Sequence, residues 1–173
     1  QDPTLVESHE LLTLAGPGTA GGKNRGVWNH FAPVSPLFLS GQTLSPSGTL
    51  ATFTEFRVGG GRLIAKATRK GTGITNANND LILVHSTSAP SFPAFLEDEP
   101  LQGTGGLNPP RLGTFTAFSI NHTTVASVVG TLKRSPASGV NASNDSFFDV
   151  NDLVSPLPSA ALPVREGDPA NFN

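Results

Sequence analysis

The chain has 173 residues, enough for one domain with a buried core. Only 14% are Asp, Glu, Lys or Arg, and the formal charge is −2; neither a basic stripe for nucleic acid nor a polybasic patch for an anionic membrane surface is present. There is no Cys, which excludes disulfides and thiolate metal sites, and no apolar run reaches the roughly 18 residues of a membrane-crossing helix.

The 19 Gly and 15 Pro punctuate the chain so often that its elements must be short. Helical periodicity is nearly absent. The best candidate, residues 5–14, soon meets Gly16-Pro17-Gly18 and reads equally well as a strand. In chain order, apolar or alternating runs bounded by Gly, Pro, Asn or Ser predict eleven strands, at 9–14, 26–31, 37–40, 50–58, 62–68, 80–84, 92–96, 112–120, 124–132, 146–150 and 160–164. The segment Thr52-Phe53-Thr54-Glu55-Phe56 is expected to turn one Phe-bearing face inward. These runs predict an all-β domain.

The runs are organised as a repeat. Gly48-Thr49-Leu50-Ala51-Thr52-Phe53-Thr54-Glu55-Phe56 matches Gly113-Thr114-Phe115-Thr116-Ala117-Phe118 across a short gap. Downstream, Gly73…Asn79-Asp80 matches Gly139…Asn144-Asp145, with the Asn-Asp pairs aligned. Leu96-Glu97-Asp98-Glu99-Pro100 then matches Arg165-Glu166-Gly167-Asp168-Pro169. A partial copy at the start carries Gly26-Val27-Trp28 and Leu39-Ser40-Gly41-Gln42-Thr43, but no Phe-Thr-x-Phe strand. The expected organisation is a single domain over 1–173, with units at 1–47 (partial), 48–110 and 111–173. Each complete unit holds about four short strands. A lone unit cannot bury both faces, so units must stack, in a propeller-like or sandwich-like arrangement.

The segment 132–169, with Gly139-Val140, Asn144-Asp145 and Arg165-Glu166-Gly167-Asp168-Pro169, resembles a bacterial repeat family of secreted and surface-anchored proteins. That family is marked by an Asn-x-x-Gly-x-x-Ala-Phe strand and a following Arg-Glu-Gly-Asp/Gln-Pro turn. Gly26-Val27-Trp28 is similar to its Gly-Ile-Trp step. The name-giving strand is degenerate here: Thr124 stands at its Gly, and Ser127-Val128 at its Ala-Phe. The resemblance implies a propeller-like β-repeat, an extracellular setting and no enzymatic role.

Catalytic motifs are not evident. His9, His30, His85 and His122 are not at metal-ligand spacing, and no Gly-x-Ser-x-Gly elbow is present. Gly59-Gly60-Gly61 reads as a hairpin turn, and Glu97-Asp98-Glu99 as a turn rather than an acid–base pair. No cofactor is specified. Calcium is the one candidate metal, on the hard oxygens of Asn79, Asp80, Asn144, Asp145, Asp149, Asn151 and Asp152. Asn121, Asn141 and Asn144 head N-glycosylation sequons. Trp28, the sole Trp, is a candidate sugar-stacking residue, but its match to an apolar strand in the other copies favours a core residue.

The start at Gln1-Asp2-Pro3, without an initiator Met, fits either an artificially trimmed chain or one secreted by signal cleavage, and the composition favours the second. Three routes complete the partial unit: pairing of the chain's own termini, a strand from a neighbouring subunit, or a sandwich without propeller closure. The expectation is a non-enzymatic, extracellular assembly subunit of a filament or surface layer, with itself as partner and strand exchange as the joint. The alternative is an extracellular carbohydrate- or surface-binding module.

Overall fold

The computed structural model describes residues 9–13, 25–29, 35–44, 48–59, 62–86, 89–101, 107–121, 125–152 and 163–168. Among the described residues, eleven strands run in chain order: β1 (His9–Thr13), β2 (Arg25–Asn29), β3 (Ser35–Leu39), β4 (Thr49–Gly59), β5 (Arg62–Lys70), β6 (Asp80–Ser86), β7 (Ala89–Leu96), β8 (Leu112–Ile120), β9 (Val125–Leu132), β10 (Ser146–Asp152) and β11 (Val164–Arg165). They form three antiparallel sheets with no crossover: a first sheet β1-β2-β3, a middle sheet β4-β5-β6-β7 and a last sheet β8-β9-β10-β11. The one helical element among the described residues is a 3-10 turn at Pro136–Ser138. The protein is therefore all-β. Residues 5–14 resolve as strand β1 where they are described.

The order of the layers follows from where the apolar side chains go. Successive residues of a strand point to opposite faces, so a sheet with one covered face alternates apolar and polar. The middle sheet does not alternate: Leu81, Ile82, Leu83 and Val84 are all buried. Leu81 and Leu83 join Leu63, Ala65 and Ala67 in a core shared with Val27 and Phe38 of the first sheet. Ile82 and Val84 join Ile64 and Phe95 in a second core with Phe115, Phe118, Val128 and Phe147 of the last sheet. The middle sheet thus lies between the other two.

The Phe-Thr-x-Phe strands solve a geometric problem. Phe53 and Phe56 are three apart, so strict alternation sets them on opposite faces. A register shift between Phe53 and Glu55 places Phe53 opposite Ala67 and Phe56 opposite Ala65, on one face. The same shift between Phe115 and Ala117 aligns Phe115 and Phe118, and both enter the core. A bulge absorbs one extra residue and restores the inward aim.

Two turns recur with the same hydrogen bonds. Before β6, Asn78 Oδ1 accepts from the Thr75 N–H at 2.6 Å, and its Nδ2 donates to the Gly73 carbonyl at 3.1 Å. Before β10, Asn144 Oδ1 accepts from the Asn141 N–H at 2.7 Å, and its Nδ2 donates to the Gly139 carbonyl at 3.1 Å. Asn144 therefore corresponds to Asn78. The alignment of Asn79-Asp80 with Asn144-Asp145 is one residue out of register, because the side chain that closes the turn is the first Asn of the Asn78-Asn79 pair. With Asn78 on Asn144, Leu81 falls on Phe147 and Ile82 on Phe148.

Ile82 and Phe148 therefore occupy equivalent positions with opposite surroundings: Ile82 is 1% exposed and Phe148 43%. Ile82→Ala should destabilise the fold by about 2–5 kcal/mol, the usual cost of a buried Ile truncated to Ala. Phe148→Ala in dilute protein should cost about 1 kcal/mol or less, as a partly exposed position does. Urea midpoints of the two variants check the contrast.

Candidate functional site: the uncovered face of the last sheet

Each sheet ends in the same four-residue turn. The backbone N–H of Gln42 donates to the Leu39 carbonyl at 3.0 Å, that of Glu99 to Leu96 at 3.1 Å and that of Asp168 to Arg165 at 3.1 Å. The third residue of each turn has positive φ: Gly41 at 79°, Asp98 at 72° and Gly167 at 82°. This is the type II pattern, which favours Gly at that position. Asp98 is the only described non-Gly residue with positive φ. Its carboxylate lies 3.1 Å from Lys133 Nζ and 4.0 Å from Arg111 Nη1, and Arg111 also donates to the Asp98 carbonyl.

The first two turns grip the leading strand of the next sheet. The Gly41 N–H donates to the Leu50 carbonyl at 2.7 Å, and the Leu50 N–H returns to the Gln42 carbonyl at 2.9 Å. The Asp98 N–H donates to Leu112 at 2.8 Å, and the Leu112 N–H returns to Glu99 at 2.8 Å. In the third turn the Gly167 N–H and the Asp168 carbonyl have no such partner among the described residues.

The side chains beside the turns tell the same story. Strand pairing places Val27 beside Phe38, Ile82 beside Phe95, and Phe148 beside Val164. Val27 and Phe38 are 0% exposed, and Ile82 and Phe95 are 1% and 7%. Phe148 and Val164 are 43% and 57% exposed, with Val129, 37% exposed, opposite Phe148 on the neighbouring strand. An apolar row thus crosses β9, β10 and β11 on the outer face of the last sheet. Lys66, opposite Ile82, instead donates its ammonium across the sheet junction to the Phe115 carbonyl and lies 3.6 Å from Asp80.

The calcium candidates do not converge. Asp80 faces Lys66, and its N–H donates to Glu97 Oε2 at 3.1 Å. Asp145 pairs with Arg134 at 2.7 Å. Asn144 closes its turn with both side-chain ends, and the Asn79 carbonyl accepts from the Arg69 N–H at 2.8 Å. Asp149 is buried on the inward face, opposite Val128. Asn151 and Asp152 belong to β10 by backbone, and their side chains lie outside the described residues. No group of three or more His, Asp or Glu suited to a metal forms among the described residues.

Of the sequon residues, Asn121 is exposed and its Oδ1 accepts from the Val125 N–H at 2.9 Å. Asn141 is exposed and its Oδ1 accepts from Ser143. The backbone of Trp28 sits opposite Glu10 and Pro36, and its side chain lies outside the described residues. Of the four His, His85 packs edge-on against Phe38 at 6.0 Å. His9 lies in β1 by backbone, while His30 and His122 lie outside the described residues. No described helix is long and apolar enough to cross a membrane.

Sequence reasoning missed Phe148, Val164 and the Gly167 N–H. The signal was available in the matched turns: 39–42 and 96–99 each lead into a strand whose leucine, Leu50 or Leu112, pairs back with the turn.

Two side chains carry tests. Asp98→Ala keeps the left-handed backbone without glycine's freedom and loses two surface ion pairs, so it should cost about 1–2 kcal/mol. Asp98→Gly relieves the backbone while losing the same pairs, and should stay within about 1 kcal/mol of wild type in urea denaturation. Burial pushes the Asp149 carboxyl above its ordinary 3.8, against a partly compensating hydrogen bond from the Val150 backbone. The folded state then holds the proton more tightly than the unfolded state, so stability falls as pH rises from 3.8 through the raised value. Asp149→Asn should raise the melting temperature at pH 7, and the gain should vanish near pH 3.

No family model, curated protein or solved structure matches the chain in comparisons with known proteins.

Proposed function

We propose that this chain is a non-enzymatic structural subunit of an extracellular filament or layer, joined to its neighbours through the outer face of its last sheet. The observation that carries the reading is the contrast between Phe148 and Val164, 43% and 57% exposed, and their buried equivalents Ile82 and Phe95. Exposed apolar rows of this kind mark interaction surfaces. The low charge, 14% of residues, opposes no close approach between copies. The extracellular setting is supported by the similarity of the Arg165–Asp168 turn and its surroundings to the secreted repeat family. The carbohydrate-binding alternative rests on Trp28, whose side chain lies outside the described residues.

Light scattering across a concentration series tests the reading. The mass should rise above the 17.9 kDa of one chain, and Phe148→Glu should hold it there by placing a charge in the joint. A wild-type mass of one chain at every concentration would end the proposal.

A further inference from the structure

We infer that a cleft at the loop end of the last sheet binds a small organic carboxylate carried on a single ring, of the chemical class of a uronic acid. The site stands apart from the proposed joint: none of its lining residues belongs to the apolar row of Val129, Phe148 and Val164.

The cleft lies between the chain entering β8 and the chain leaving β9, and its volume is about 180 Å³. Sites for drug-sized ligands run from roughly 300 to 1,000 Å³, so there is room for one ring and no more. The outer wall exists because the last sheet has a longer link than the middle sheet. The Lys133 N–H donates to the Arg111 carbonyl at 2.8 Å, as Lys70 pairs with Thr49. From these lysines, eight positions lead to the turn-closing Asn78 and eleven to the turn-closing Asn144. The extra residues fall before Gly139, the counterpart of Gly73, where the chain makes the 3-10 turn Pro136–Ser138. Ser135 and Val140 close the base of that turn with backbone hydrogen bonds of 3.0 and 3.2 Å. Val140 is buried in the core, so the wall is anchored. The opposite wall is tied down by the Leu101 N–H, which donates to the Pro110 carbonyl at 2.7 Å.

Two cations, Arg111 and Lys133, and two hydroxyls, Ser135 and Ser138, line the cleft beside Pro109 and Ala137. Lys133 is held in place: its Nζ donates to the Ala77 carbonyl and lies 3.1 Å from Asp98 Oδ1. Arg111 spends only Nη1 on Asp98. Its Nε and Nη2, one whole edge of the guanidinium, have no partner among the described residues, and neither has Ser135 Oγ. Such an edge matches a carboxylate through two parallel N–H···O bonds. Asp98 answers one of the two positive charges, and the surplus of one suits a monoanion rather than a dianionic phosphate ester. Pro109 and Ala137 offer the apolar surface against which a ring can lie, and Ser135 Oγ can meet a ring hydroxyl. In the middle sheet Thr49 stands at the place of Arg111, so the paired charges are peculiar to the last sheet.

Titration of the isotope-labelled full chain with glucuronate, followed by amide chemical shifts, tests the site. The shifts should saturate and should cluster on Arg111, Lys133, Ser135 and Ser138. Glucose carries a similar ring without the charge, and glucose 6-phosphate carries it with a dianion. Each should bind about tenfold more weakly or worse, because hydrogen bonds to a charged group are worth at least that ratio. Arg111→Lys keeps the charge and removes the planar edge, and should weaken glucuronate by a similar factor. Arg111 is exposed, so the rest of the variant's spectrum should be unchanged. Absence of saturation, shifts clustered elsewhere, equal binding of glucose or glucose 6-phosphate, or indifference to Arg111→Lys would each overturn the inference.

Discussion

A sheet with two apolar faces has to be covered twice. Leu81 to Val84 make this unavoidable here, because four consecutive buried residues on one strand send apolar side chains to both sides. Burial of each such side chain contributes roughly 1.5–3 kcal/mol, so neither face can be left to water without losing much of the net stability of a small domain. The order of the layers follows from this demand. The first sheet supplies Val27 and Phe38 to one face, and the last sheet supplies Phe115, Phe118 and Phe147 to the other.

Two local devices make such a stack out of these strands. The bulge in β4 and β8 converts a three-residue Phe spacing into a single inward face. The positive-φ turn then hands the chain from the last strand of one sheet to the leading strand of the next, and fixes the handover with two backbone hydrogen bonds. Packing and hydrogen bonding therefore specify the same junction twice, once by ring contact and once by backbone pairing. Asp98 shows that glycine is not obligatory there, since Lys133 and Arg111 gather around its carboxylate.

Much of the architecture is legible in the residues because Gly, Pro and Asn sit where strands stop. Phe53 and Phe56 could be assigned to one face, but not the bulge that puts them there, because a bulge leaves no residue type of its own in Thr54 or Thr116. Asn79-Asp80 and Asn144-Asp145 look alike as dipeptides, so matching the dipeptides sets the turn register one residue late. Only the side-chain bonds of Asn78 and Asn144 correct it. The outer face was invisible for a different reason. Phe147 and Phe148 are neighbours of one type, and nothing in their identity says which is covered. Exposure is a property of which sheet stands next, and that is decided by the stacking order.

The junction joins unlike parts: a turn on one side and a leading strand on the other. Such a contact has a direction, and no twofold axis can relate its two halves. A stack built from it is polar: the sheet that offers the turn and the sheet that offers the leading strand cannot exchange places.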